Sequence, residues 1–246
     1  MLVVDRLTFH YPENEYAVFK NISFSLNKGE FVSLIGSSGS GKSTLLKIIA
    51  GLMEGQEGHI LYEGKEGNRL GKIGYMPQKD QLLPWRQILD NVLLPVEIAS
   101  RNKAMEKEKA MALLKEFGLL EVAHEYPSRL SGGMRQRAAF LRTIMTGSEL
   151  LLLDEPFGAL DAMRKHDMQG WLLSVWERLG KTILFITHDI EEAILLSDRV
   201  LVLRDGEMEE VIIPFSRPRN PDTIFAREFI EYRKLLSEKI RERKHV

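Results

Sequence analysis

The sequence predicts an α/β fold. A mainly parallel sheet is fronted by a small antiparallel β layer and interrupted by a helical insertion. Three observations carry that prediction. The apolar run Glu30-Phe31-Val32-Ser33-Leu34-Ile35 enters a glycine-rich loop, and the helical run Leu45-Leu46-Lys47-Ile48-Ile49-Ala50 leaves it. Two more apolar runs, Leu150–Asp154 and Thr182–Thr187, have the composition of strands covered on both faces. Strand patterns alternate with helical patterns, as in a parallel α/β core.

Taken in order, Leu2-Val3-Val4 and Leu7-Thr8-Phe9 read as two short strand pieces, and Tyr11-Pro12-Glu13-Asn14 as a turn. Phe19 to Leu26 alternates apolar and polar residues, the pattern of a half-buried strand. Asn27-Lys28-Gly29-Glu30 turns into the strand before the loop. His59–Tyr62 and Lys72–Met76 are further strands, the second ending at Pro77-Gln78. From Ile88 the pattern turns helical, with a break expected at Pro95. Met105–Phe117 is a charged amphipathic helix stopped at Gly118, and Gln136–Met145 is another helix. Residues 87–145 form the helical insertion. Asp161–Leu179 is helical, with Met168, Trp171, Leu172, Val175 and Leu179 on one face. Ile190–Leu196 is a short helix. Arg199–Leu203 and Met208–Ile213 flank the turn Asp205-Gly206. Three prolines break the pattern between Pro214 and Pro221, and Phe225–Arg243 is a charged helix carrying Phe229, Tyr232, Leu235 and Leu236. The expected division is a catalytic domain over 1–215 and a C-terminal helical extension over 216–246.

Composition narrows the function. A formal net charge of −1 over 246 residues supplies no field for nucleic acid or anionic lipid. The absence of cysteine removes disulfides, thiolate metal sites and a thiol nucleophile. The N-terminus has no signal-peptide pattern, and no window has the apolar length of a membrane span. The expectation is a cytoplasmic chain that reaches a membrane only through partners.

The loop Gly36-Ser37-Ser38-Gly39-Ser40-Gly41-Lys42-Ser43-Thr44 follows a strand and opens a helix, the context a phosphate-binding loop needs. Glycines let successive N–H groups turn inward on phosphate oxygens, and the helix N-terminus adds its positive dipole end. Lys42 reaches the β- and γ-phosphates, and the Ser43 hydroxyl ligates Mg²⁺. The chain therefore binds a nucleoside triphosphate. Asp154, ending an apolar strand, can orient the Mg²⁺ shell, and Glu155 can polarise an attacking water. Ser131-Gly132-Gly133 opens a helix and makes a second anion site from free N–H groups and a hydroxyl. One nucleotide seldom needs two such sites on one chain, so this one serves a nucleotide held by another subunit.

With these motifs in order, the chain resembles the ATP-binding subunit of an ABC transporter over essentially its whole length. Residues 36–44 match its phosphate-loop motif, 150–155 its Asp-Glu strand, and 131–135 its signature motif, with Met134 where Gln is commonest. The resemblance implies a RecA-like P-loop NTPase core with ATP and Mg²⁺. It makes Tyr11 the ring that stacks on adenine, with Tyr16 a nearby competitor. Gln78 becomes the lid glutamine that senses Mg²⁺, Asp161 the residue across the subunit interface, and His188 the γ-phosphate contact. Lys42, Glu155 and His188 are then the catalytic set. The implied assembly is a homodimer on two transmembrane permease subunits at the cytoplasmic face, fed indirectly by a solute-binding protein, with no nucleic acid. Leu82-Leu83-Pro84-Trp85-Arg86, Pro156–Asp161 and His188–Ala193 are similar to importers of the nitrate, sulfonate and taurine group.

Overall fold

The computed structural model describes every residue except 14, 15, 56, 159–161, 218, 220 and 242–246. The strands are β1 (Leu2–Phe9), β2 (Phe19–Leu26), β3 (Phe31–Ile35), β4 (Glu57–Tyr62), β5 (Gly74–Met76), β6 (Leu150–Asp154), β7 (Thr182–Ile186), β8 (Arg199–Arg204) and β9 (Glu207–Ile212). The helices are α1 (Lys42–Ile49), α2 (Ile88–Ile98), α3 (Lys103–Glu116), α4 (Gly132–Ile144), α5 (Ala162–Leu179), α6 (Ile190–Leu196) and α7 (Arg227–Ile240). They gather into two units, Met1–Leu70 with Leu173–Val246, and Gly71–Leu172.

In the first unit, β1 lies between β2 and β4 in an antiparallel sheet. The expected two strand pieces are one strand. Leu2, Val4, Leu7 and Phe9 all point inward, although Val4 and Leu7 differ in parity. A register shift between Val4 and Leu7 resolves this, with Arg6 at φ 48 and its N–H on Ser23 Oγ at 2.8 Å. Elsewhere in this unit β3 pairs in parallel with both β7 and β8. Antiparallel β9 returns through Asp205-Gly206, both at positive φ (51 and 79), a two-residue hairpin turn matched to strand twist. Arg199 clamps the base of β3, its Nε and Nη2 donating to the two Glu30 carboxylate oxygens at 2.6 and 2.8 Å.

The C-terminal helix is shorter than the sequence suggests. A 3₁₀ turn over Pro221–Phe225 precedes α7, which begins at Arg227. Phe229 and Leu236 are fully buried and join Ile35, Ala193, Ile194 and Val202 in one cluster. Each contributes about 1.5–3 kcal/mol relative to exposure, so α7 is docked by its apolar face. Leu235, beside Leu236 in the chain, is 38% exposed.

In the second unit, β5 and β6 pair in parallel and α2 packs on α3 and α4. Pro95 does not break α2, which continues to Ile98. It lies near the C-terminal end, where one hydrogen bond is forfeited, while Val92, Leu93 and Val96 are at most 1% exposed and hold the helix in place. The Asn102 side chain caps α3 by accepting from the Ala104 and Met105 N–H groups. At the other end Gly118 and Leu119 donate to Lys115 O and Leu114 O, closing the helix where Gly118 was expected to stop it. Trp171 meets Phe117 and Phe140 edge to face, 4.4 and 5.2 Å between centroids, while the two phenylalanine rings stack on each other.

Candidate nucleotide site

The phosphate loop belongs to the first unit. β3 is buried at every residue and delivers Gly36 beside Leu203, where an added Cβ would stand 2.2 Å from the Leu203 carbonyl oxygen. Gly41, which caps α1, has φ 97, and a Cβ there would sit 2.3 Å from Val18 Cγ1. Conformation and space both demand glycine at Gly41. Ser38 and Gly39 form the exposed tip, and Ser40 N–H closes the loop on Ser37 O at 3.2 Å. Lys42 is 7% exposed, and its Nζ donates to Gly36 O at 3.0 Å, Ser37 O at 2.8 Å and Ser40 Oγ at 3.4 Å. The loop thus aims a buried cation along its own rim. The first turn of α1 carries no acidic side chain, so its dipole end is unopposed. Ser43 follows Lys42 in that turn and is partly exposed.

Tyr11 joins this loop through its hydroxyl, 2.7 Å from Thr44 Oγ1. Its ring stands edge-on to Phe9, 5.0 Å between centroids, and is 37% exposed, which leaves a face for a base. Tyr16 is 83% exposed. His188, also in this unit, is exposed just beyond β7, at the mouth of a groove of about 850 Å³ lined by Glu191, Ile230 and Arg233.

The second unit holds the carboxylates. Asp154 ends β6 at 4% exposure, within reach of the Tyr75 hydroxyl at 3.4 Å. Burial, followed by the nearby Asp154 charge and that hydrogen bond, raises the Tyr75 hydroxyl well above the ordinary phenol range. Glu155 has φ 45, a left-handed conformation costly for a non-glycine residue. Gln78 Nε2 donates to Glu155 Oε2 at 2.9 Å, which turns the amide oxygen Oε1 away from the carboxylate. Ser131 caps α4, its Oγ accepting the Met134 N–H at 3.3 Å. The helix starts at Gly132, as the reading of Ser131-Gly132-Gly133 as a helix opening implies, and runs on through the Gln136–Met145 stretch to Ile144. Asp161 lies outside the described residues.

The fold brings further residues to these groups that no linear pattern marks: Tyr75 has only a strand pattern in the sequence yet reaches Asp154. Arg135 Nε donates to Asp80 at 3.1 Å, and Arg142 donates to Asp80 O and Gln81 O at 2.6 and 2.8 Å. Both tie α4 to the turn after Gln78. Their spacing, two helical turns apart, was the available signal.

Taken unit by unit, the side chains offer oxygen donors of the kind a hard cation takes: the Ser43 hydroxyl in the first unit, and the Gln78 amide oxygen and the buried Asp154 carboxylate in the second. Among the described residues no group of three or more His, Asp or Glu side chains could hold a metal. Mg²⁺ takes few protein ligands and completes its shell with phosphate oxygens and water.

The family described as ABC transporter matches residues 19–158, more than half of the chain. The chain belongs to the ABC transporter family. The formylaminopyrimidine import ATP-binding protein of Halalkalibacterium halodurans is 44% identical over 226 residues, 91% of this chain and 88% of that protein. The nitrate import ATP-binding protein of Synechococcus elongatus is 38% identical over 224 residues, 88% of this chain and 82% of that protein. Among solved structures, a dimeric post-hydrolysis state of an ATP-binding cassette with ADP and Pi has TM-score 0.78 at 32% identity, covering 88% of this chain and all of that one. This ABC cassette is an ATP-binding subunit of an importer, and it is an ATPase. Among the described residues no helix is long and apolar enough to cross a membrane.

Proposed function

We propose that this cassette energises uptake of a small solute by closing a homodimer around two ATP molecules. The observation that carries the reading is the loop Gly36–Thr44: two positions have no room for a side chain, and a buried Lys42 is turned along the rim. In this reading Tyr11 stacks on adenine. Gly36, Ser37, Ser38, Gly39, Ser40, Gly41, Lys42 and Thr44 surround the phosphates. Ser43, Gln78 and Asp154 supply oxygens for Mg²⁺, which neutralises phosphate charge when bound. Glu155 takes a proton from water as the water oxygen bonds to the γ-phosphorus. The bond from that phosphorus to the bridging oxygen breaks, leaving ADP and phosphate. His188 contacts the γ-phosphate.

Ser131, Gly132 and Gly133 act on the ATP of the other subunit, and Asp161 faces that subunit. The dimer is two-fold, so each copy both holds and covers a nucleotide. Swinging the equilibrium from mostly open to mostly closed needs about 5 kcal/mol of differential affinity. Charge-assisted bonds from both chains to two nucleotides can supply it. Two permease subunits dock near Gln78–Trp85 and the helical insertion of 87–145, at the cytoplasmic face, and a solute-binding protein delivers cargo without touching this chain. Nucleic acid has no part. Residues 1–215 form the cassette, and 216–246 form a packed extension.

The solute belongs to the small-molecule group that includes nitrate, sulfonates and taurine. The relatives' names support a small solute and span nitrate and a formylaminopyrimidine. The test is the Glu155→Gln chain with MgATP, sized by light scattering. A stable dimer that reverts to monomer without ATP is expected, and a persistent monomer overturns the closure. Lys42→Ala should lose tight ATP binding. A solute-binding protein encoded beside this chain, assayed against candidate solutes, tests the cargo: binding none of nitrate, sulfonates or taurine removes that assignment.

A further inference from the structure

His188 stands between β7 and α6 on a turn whose two flanking residues share one hydroxyl. Thr187 Oγ1 accepts the Asp189 N–H at 2.9 Å. The same hydroxyl donates to the Glu192 carboxylate. Asp189 Oδ1 in turn accepts the N–H groups of Glu191 and Glu192, at 2.9 and 3.3 Å. The ring of bonds therefore closes through positions 187, 189 and 192. Thr187 and Glu192 are each 3% exposed, whereas His188 is exposed. The turn is anchored beneath and open above.

A hydroxyl has one proton and two lone pairs, and a carboxylate only accepts. Glu192 therefore decides where the Thr187 proton points. That choice leaves a lone pair for the Asp189 N–H. Without an acceptor at position 192, the Thr187 hydroxyl can rotate toward another carbonyl, and the tie to Asp189 lapses. His188, between the two, would then sample several positions.

We propose that Glu192 is a positioning residue for His188, acting through the Thr187 hydroxyl. The inference rests on the reading of His188 as the γ-phosphate contact. It assigns Glu192 a part in turnover although its carboxylate is buried and bonds inward.

The full chain is assayed for MgATP hydrolysis, and its imidazole signals are followed by ¹H–¹³C NMR, with the His188 signal identified by its loss in His188→Ala. In Glu192→Ala, kcat falls about tenfold while KM for ATP stays within about twofold, because a displaced group costs rate rather than ground-state binding. Glu192→Gln retains an acceptor oxygen and keeps kcat within about twofold of the unsubstituted chain. The His188 signal moves in the alanine variant and stays in the glutamine variant. Should Glu192→Ala fail to fold, Thr187→Val removes the hydroxyl at nearly constant volume and gives the same loss, with Thr187→Ser rescuing it. Unchanged kcat with an unmoved His188 signal, in Glu192→Ala or its Thr187→Val substitute, overturns the proposal. So does equal loss in Glu192→Gln and Glu192→Ala. If His188→Ala itself hydrolyses ATP at the full rate, the reading of His188 fails separately, and the imidazole signal still judges the clasp.

Discussion

Gln78 Nε2 donates a 2.9 Å hydrogen bond to Glu155 Oε2, so the amide and the carboxylate hold each other within one unit. The bond restrains a carboxylate whose backbone already sits at φ 45. In Gln78→Ala, Glu155 keeps its chemistry but loses its orientation. kcat should fall about tenfold or more, with ATP affinity changed much less. Gln78→Glu should lose more, because two carboxylates then face each other. Steady-state kinetics on both variants check the order.

The Tyr11 hydroxyl, 2.7 Å from Thr44 Oγ1, ties the ring proposed to stack on adenine to the helix of the phosphate loop. Tyr11→Ala should weaken ATP binding by about 1–3 kcal/mol, the worth of one base–aromatic stack. Tyr11→Phe keeps the ring and should cost only about 0.5–1.5 kcal/mol, the worth of one neutral hydrogen bond. Tyr16→Ala should leave affinity unchanged. Calorimetric titration with ATP separates the three, and a loss at Tyr16 rather than Tyr11 would reassign the stack.

Gly41 combines φ 97 with a Cβ position 2.3 Å from Val18 Cγ1. Gly41→Ala is therefore strained and overpacked, and each effect costs about 1–3 kcal/mol. Thermal melts should show the destabilisation. ATP binding should fall with it, since the same backbone presents N–H groups to phosphate.

Acid should loosen the C-terminal helix. The Lys239 ammonium donates to the Glu209 carboxylate, and that hydrogen bond, with the neighbouring positive charges, holds Glu209 below its ordinary pKa against a smaller opposing effect of burial. A carboxylate lowered in the folded state adds stability above its unfolded pKa and loses it as pH falls through the lowered value. The contribution is present at neutral pH and disappears below the usual carboxylate range. Glu209 is part-exposed, so the effect is small and local. Amide protection in α7, taken relative to the intrinsic exchange rate at each pH, should fall at acid pH in the unsubstituted chain, with a weaker pH response in Glu209→Gln.

The sequence by itself determined the phosphate loop, the Asp-Glu strand end, most strands and the capped signature helix. Each is a local pattern: glycine spacing, an unbroken apolar run, or a serine before a helix, with physics settled within a few residues. It also implied the family, because several such patterns occur in one order. Tertiary structure alone decided that β1 is one strand, since Arg6 can bulge only against Ser23 and β4. It alone let α2 run through Pro95, because buried Val92, Leu93 and Val96 outweigh one lost hydrogen bond. Arg135 and Arg142 on the turn after Gln78, Tyr75 beside Asp154, and the Thr187–Glu192 clasp under His188 also became visible only once folded. Their meaning lies in which groups come within hydrogen-bond distance, and a linear pattern carries no such distances between residues far apart in the chain.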